Sequence, residues 1–177
     1  MVGLGGNEMV DHIDGGGEED LDVGIAHTLV SHVRDPLVVI KEAARVVKPG
    51  GKVAIFDGDY ASWTHGCSDS DLGKDMEDGI IATVVSHPRV MRNMPRLLRE
   101  AGLELVEIMP YVYAEAGTGV FFLGAAEAYG PMVARAGQVS QERVDMWLAE
   151  QRRSAEDGTF FGACNYYAYL AMHPATE

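Results

Sequence analysis

The stretch from residue 27 to residue 59 decides the fold, and it reads HTLVSHVRDPLVVIKEAARVVKPGGKVAIFDGD. It follows a short β-prone run, Leu21–Ala26, which predicts a strand. Asp35 and Pro36 then predict the start of a helix, because Asp is a favoured N-cap and Pro fits the first helical position. Apolar residues recur at helical spacing and form one face of this helix: Leu37, Ile40, Ala44 and Val47.

The same stretch predicts the end of the helix and a second strand after it. Lys48 suits the negative end of the helix dipole, and the run Pro49–Gly51 predicts the stop. Residues Val53–Phe56 are again apolar on both faces, as expected for a strand of a parallel sheet covered by helices on each side. Strand, helix and strand together predict one βαβ unit of an α/β fold.

The order of these motifs resembles class I S-adenosylmethionine (SAM) dependent methyltransferases, in particular the small-molecule enzymes of the ubiquinone/menaquinone-biosynthesis type. The motifs are HTLVSHV, DP, KPGG and FDGD, and RVVKPGGKV is the most specific part. The resemblance covers residues 21–172. It implies a Rossmann-like methyltransferase sheet with helices on both faces and an antiparallel last strand, and it implies S-adenosylmethionine as the cofactor.

The resemblance also predicts what is missing. In this family a glycine-rich loop and an acidic residue that bind SAM come before the strand at 21–28, and they need two βαβ crossovers. Only 20 residues precede Leu21 here, and their glycine and acidic residues are typical of a flexible segment. We therefore expect strands four to seven of the fold without the SAM-binding motifs, so that the isolated chain is inactive or weakly active. The alternative is a non-catalytic, truncated α/β module that self-associates or binds a small molecule.

Loss of the first strands would leave the strand at 21–28 as an unprotected edge. An edge with unpaired N–H and C=O groups and apolar side chains invites pairing with another chain. We expect a homodimer across this edge or a complementing segment that covers it. The alternative is that residues Met1–Val10 fold back as a substitute strand.

Composition limits the other functions. Apolar residues make up 47% of the chain and charged residues 23%, as in ordinary globular proteins. A net charge of −13 argues against nucleic acid and anionic membranes as partners. The two cysteines, Cys67 and Cys164, do not form a disulfide framework, and reduced thiols in the cytoplasm are the expectation. No His and Cys cluster has metal-ligand spacing, so no metal site is expected.

The rest of the domain, residues 21–177, is predicted as alternating helices and strands. A helix is expected at 70–85, and a second from His87 onward that Pro95 kinks or splits. Strands are expected at 103–115, alternating around Val106, Ile108 and Val112, and at 159–170. Between them, residues 117–157 carry two helical patterns, the first interrupted at Gly130-Pro131, and are predicted to form a helical lid on a substrate pocket.

Candidate substrate-binding residues come after the second strand and line the last one. Asp57 and Asp59 lie where the carboxyl ends of parallel strands bind ligands, so they could orient a substrate or act as a base. Alternatively, Asp57 caps backbone groups and Asp59 is solvated. The remaining candidates are aromatic residues and one amide that could hold a planar substrate or simply fill the core: Tyr60, Trp63, Phe161, Asn165 and Tyr167.

Candidate cofactor and catalytic residues lie just past the first strand. By the resemblance, His27, Thr28 and Leu29 contact the methionine part of SAM. His32 is a candidate catalytic base, because an unperturbed imidazole titrates near neutral pH. The alternative is that either histidine caps the following helix or packs beneath the loop.

Overall fold

The computed structural model describes residues 21–175, so the predicted flexible segment 1–20 lies outside the described residues. The chain is mixed α/β, as the sequence predicted. The strands are β1 (Leu21–His27), β2 (Val47–His65), β3 (Glu104–Gly117) and β4 (Phe160–Met172), in the sheet order β1-β2-β4-β3. The helices are α1 (Pro36–Val46), α2 (Ser70–Val84), α3 (Met94–Glu100), α4 (Phe121–Arg135) and α5 (Gln141–Glu156), with a 3₁₀ turn at Val90–Asn93.

The predicted βαβ unit is present. The side chain of Asp35 accepts the backbone N–H of Leu37, and Pro36 is the first residue of α1. β1 then pairs in parallel with β2, with His27 opposite Phe56. Within residues 21–175, β1 has β2 as its single neighbour and is therefore an edge of the described sheet.

The expected stop at Pro49–Gly51 is wrong in position. α1 already ends at Val46, and β2 begins at Val47. Leu21 pairs with Val47 but Val23 pairs with Lys52, so residues 48–51 bulge out of the ladder. The bulge has a physical cause, since Pro49 has no N–H to donate and Gly50 has a φ of 80° that favours glycine.

β4 runs opposite to β2. The N–H of Gly50 donates to the carbonyl of His173 at one end of β2, and the N–H of Gly66 donates to the carbonyl of Phe161 at the other. Residue numbers therefore increase along β2 in the direction in which they decrease along β4, so the two strands are antiparallel. The resemblance implied an antiparallel last strand, and these hydrogen bonds give β4 that direction relative to β2.

The chain divides into two compact units. The first comprises described residues 21–59, 86–111 and 166–175. Its core packs α1 and α3 against one face of the sheet, with Ile40, Ile55, Met91 and Leu98 almost fully buried. The predicted break near Pro95 is confirmed, because a 3₁₀ turn ends at Asn93 and α3 begins at Met94.

The second unit comprises residues 60–85 and 112–165. Helices α2, α4 and α5 share a core that contains Met76, Val133 and Trp147. The predicted interruption at Gly130-Pro131 is wrong, because α4 continues through Pro131 to Arg135. Gly130 lies against Leu148 of α5, and packing of this kind outweighs the hydrogen bond that a proline removes from a helix.

β3 is the other edge of the described sheet and is largely exposed. Val106, Ile108 and Val112, around which the strand was predicted to alternate, are all exposed, Val112 by 74%. Pro110 lies on this edge strand, as expected for a residue that cannot donate to a ladder. Within residues 21–175, no helix is long and apolar enough to cross a membrane.

Candidate functional site

The loop that leaves β1 contains a strained residue. Thr28 has a φ of 47°, although β-branched residues rarely adopt the left-handed region. Its N–H donates to the carbonyl of Phe56 at 2.8 Å, and its hydroxyl donates to the carbonyl of His27 at 2.9 Å. Strain that surrounding contacts maintain is typical of ligand-binding loops.

Asp57 connects this loop to β2. Its fully buried carboxylate accepts the N–H of Ser31 at 2.9 Å and the N–H of Gly58 at 2.8 Å. Asp57 therefore caps backbone groups, as the alternative interpretation proposed, and its role toward a substrate stays a prediction. Ser31 is itself fully buried, and its hydroxyl has no hydrogen-bond partner among the described residues.

Asp59 is buried rather than solvated. It is 3% exposed and accepts two hydrogen bonds from Nε of Arg92, at 2.9 and 3.0 Å, while Nη2 of Arg92 lies 2.9 Å from its Oδ2. The hydrogen bond to Asp59, together with its charge, raises the pKa of Arg92. Arg92 was not a predicted site residue, because the two residues are 33 positions apart and no local pattern links them.

Two tyrosines of β4 lie in the same unit. Tyr169 donates its hydroxyl to the carbonyl of Met91 at 2.7 Å. Burial raises the pKa of Tyr169, and the charges of Tyr167 and Asp59 raise it further. Tyr167 is half-buried, with its ring centroid 6.4 Å from that of Tyr169. The substrate role of Tyr167 stays a prediction.

Aromatic rings contact one another across neighbouring strands. His27 stacks on Phe56 at 4.9 Å, and Phe56 stacks on Tyr166 at 5.5 Å. The edge of Tyr111 on β3 meets Phe56 at 6.0 Å. Phe56 and Tyr166 were not predicted site residues. Side chains alternate along a strand, so Phe56 lies on the face of β2 opposite to the face that carries Asp57.

The other residues predicted in this loop are less enclosed. His27, Thr28 and His32 are exposed, and Leu29 is half-buried beside the core of the first unit. The carbonyl of His32 accepts the hydroxyl of Ser86 at 3.4 Å. Cofactor contact by residues 27–29 and base catalysis by His32 stay predictions.

Four of the predicted substrate residues belong to the second unit. Trp63 is 4% exposed and packs on Phe122, with ring centroids 4.8 Å apart. The N–H of Asn165 donates to the hydroxyl of Ser62 at 2.9 Å. Tyr60 is half-buried near Trp63, and Phe161 is exposed. The structure thus divides the predicted set between the units, and the substrate roles of these four residues stay predictions.

His65, in the same unit, is a buried titratable group among aromatic rings. It lies 5.0 Å from the ring of Trp147, and its Nε2 is 3.3 Å from the carbonyl of Phe122. Burial lowers the pKa of His65 to about 4, and the hydrogen bond to Phe122 offsets only part of this effect. Among residues 21–175, no three His, Cys, Asp or Glu side chains converge as metal ligands.

Comparison with known proteins gives one match to a domain family and several matches to solved folds. A sequence model described as a methyltransferase domain matches residues 12–55. A candidate methyltransferase from Bacillus halodurans C-125 superposes with a TM-score of 0.52 at 17% identity, over 89% of this chain and 72% of that one. The chain has a class I methyltransferase fold. The YcgJ protein of Bacillus subtilis gives a TM-score of 0.50 at 11% identity, over 90% of this chain and 66% of its own.

One curated relative matches the sequence of this chain. It is an uncharacterised 37.1 kDa protein of transposon TN4556 from Streptomyces fradiae, 26% identical over 158 residues. The alignment covers 87% of this chain and 44% of the relative. The chain therefore spans less than half the length of the curated relative that it matches.

Proposed function

We propose that residues 21–172 are the methyl-acceptor side of a SAM-dependent small-molecule methyltransferase. The observation that supports this best is Thr28, held at a φ of 47° at the carboxyl end of β1. Asp57 accepts the N–H of Ser31 and so holds the loop after β1 against β2. The buried hydroxyl of Ser31 has no hydrogen-bond partner among the described residues. A strained loop with an unpaired polar group at a strand end is typical of a ligand site in open α/β sheets.

The residues of this loop suit a sulfonium cofactor. His27 is exposed, and its ring stacks on Phe56, so an aromatic surface lies beside the loop where the cofactor would bind. His27, Thr28 and Leu29 would hold the methionine end of SAM, which supplies an electrophilic methyl group. His32 would take a proton from acceptors that must lose one, and Asp57, Asp59 and Tyr167 would position the acceptor.

The cofactor site would be completed by a complementing segment or a second copy of the chain. On β1, Val23 is 47% exposed and Ile25 is 42% exposed, and β1 is an edge of the described sheet. An added strand would pair with the N–H and C=O groups of this edge, and its side chains would pack beside those of Val23 and Ile25. The two free cysteines, Cys67 and Cys164, favour a reducing compartment, so we propose a cytoplasmic location.

Calorimetric titration with S-adenosylhomocysteine tests this proposal. The isolated chain should bind weakly or not at all, whereas the chain mixed with a complementing segment that carries the SAM-binding motifs should bind in the low micromolar range. His27→Ala should weaken that binding at least fivefold, and Lys41→Ala, an exposed change on α1, should not. Low-micromolar binding by the isolated chain would refute the need for complementation. Absence of binding by the complemented chain would refute the methyltransferase proposal.

A second candidate function is a non-catalytic module that self-associates. It is favoured by β3, whose exposed apolar residues are Leu105, Val106, Ile108, Tyr111, Val112 and Tyr113. Sedimentation should then reveal a concentration-dependent dimer that Val112→Lys abolishes. Val38→Lys, on the exposed face of α1, is the matched control. A monomer at several hundred micromolar would contradict this function.

A further inference from the structure

A cleft of about 370 Å³ lies in the first unit, between the start of α1 and the segment 86–97. Its apolar lining includes Pro36, Val90 and Leu97, of which Val90 and Leu97 are almost fully buried. An apolar floor with a few polar groups on the rim is the usual composition of a small-molecule site. The volume is sufficient for a small organic molecule.

Five polar residues line the cleft, and two of them, Ser86 and His87, already contact the backbone carbonyls of His32 and Arg34. The other three carry hydrogen-bond donors. Two are guanidinium groups, from Arg89 and Arg96, and a third is the amide of Asn93. Asn93 makes no capping hydrogen bond with its side chain. Arg96 contacts the exposed carboxylate of Glu100, at 3.5 Å, and an exposed pair of this kind is weak enough for a ligand to displace.

The charge of the cleft is opposite to that of the chain. The whole chain carries a net charge of −13, yet the described lining contains two arginines and no Asp or Glu. Arginine presents a planar fork of donors that matches phosphate and carboxylate groups, so two arginines on one rim select an anion. The apolar floor would then receive the uncharged part of the molecule.

The rim is built on a fixed backbone. His87 donates its N–H to the carbonyl of Ser31 at 2.9 Å, and its Nε2 lies 3.2 Å from the carbonyl of Arg34. The N–H of Val90 donates to the carbonyl of His87 at 3.1 Å. Arg92, on the same segment, is held by Asp59 and does not line the cleft. A preorganised rim lowers the entropy cost of binding.

We propose that this cleft binds the phosphate group of a small organic phosphate. Arg89, Arg96 and Asn93 bind the phosphate oxygens, and Val90, Leu97 and Pro36 contact the organic part. The site uses none of the residues assigned to the cofactor loop or to the acceptor, so it stands independently of the proposed methyltransferase function.

Phenyl phosphate is a suitable probe, because it combines a phosphate with an apolar ring. In a titration followed by ¹H–¹⁵N NMR, the amide signals of residues 86–97 should shift with a Kd below about 1 mM. Phenol, which lacks the charge, should shift them at least tenfold less effectively. Inorganic phosphate should bind more weakly than phenyl phosphate, since it has no apolar part to contact Pro36, Val90 and Leu97.

The variant R89Q/R96Q should weaken binding of phenyl phosphate at least tenfold. R99Q/R153Q removes the same number of charges from exposed positions outside the cleft and should change binding less than twofold. If both variants lose affinity for phenyl phosphate equally, the effect is one of net charge and the proposal is overturned. NMR shifts confined to residues outside the cleft would also overturn it. S-adenosylhomocysteine binding by the complemented protein should be the same in R89Q/R96Q, which separates failure of this site from failure of the methyltransferase proposal.

Discussion

The carboxylate of Asp57 accepts the backbone N–H of Ser31 at 2.9 Å and thereby fixes the loop after β1 to the next strand. Asp57→Ala would leave the buried donors of Ser31 and Gly58 unsatisfied. We expect the free energy of unfolding to fall by about 2–4 kcal/mol. Urea denaturation followed by circular dichroism measures the change. Asp78→Asn, which affects only an exposed pair with Lys74, should cost less than about 0.5 kcal/mol.

Arg92 and Asp59 form a pair in which one partner is buried and the other is half exposed. Arg92→Ala should lower the free energy of unfolding by about 2–3 kcal/mol, because it removes the cation that neutralises the buried charge of Asp59. Adding Asp59→Asn should recover part of that loss, since the buried charge is then removed. Strict additivity of the two single losses would show that the residues do not interact.

His65 makes stability depend on pH. Its pKa is lowered from 6.5 to about 4 in the folded chain, so the unfolded chain takes up the proton first as the pH falls. Above pH 6.5 the imidazole is neutral in both states, so His65 does not lower the free energy of unfolding. Between pH 6.5 and 4 the free energy of unfolding falls progressively, by about 3 kcal/mol in total. Fluorescence of Trp63 and Trp147, both close to His65, reports the transition.

Two histidine variants test the assignment of this pH dependence. His65→Gln removes the titration and should flatten the stability profile between pH 6.5 and 4. His27→Gln, at an exposed position, should leave the profile unchanged. If the profile of His65→Gln is as steep as that of the unmodified chain, another group is responsible.

Two helical glycines should respond oppositely to alanine. A Cβ at Gly124 of α4 would meet no atom within 4 Å, so Gly124→Ala should stabilise the chain by about 0.5–1 kcal/mol. A Cβ at Gly79 of α2 would lie 2.7 Å from Cγ1 of Val133, and Gly79→Ala should destabilise the chain by about 1–3 kcal/mol. Thermal unfolding of both variants measures the difference, and changes of the same sign would contradict the packing of α2 and α4.

Local sequence patterns predicted the helices and strands of this fold. They did not predict contacts between residues that are distant in the sequence. Asp35-Pro36 and Pro95 act through rules that depend on near neighbours, so the start of α1 and the break before α3 were predictable. The course of α4 through Pro131 depends on packing against α5 and was not. The burial of Asp59 was missed for the same reason, because its partner Arg92 is defined only by the folded chain.

Pro110 lies within the most exposed strand of the described sheet. A strand with apolar residues on both surfaces is a template for fibril growth, particularly near the isoelectric point of about 4.7, where repulsion between molecules vanishes. Because proline cannot donate a hydrogen bond, Pro110 removes one backbone donor from this strand. Pro110 therefore weakens continuous cross-β pairing along β3, in the way that breaker residues protect other apolar strands from aggregation.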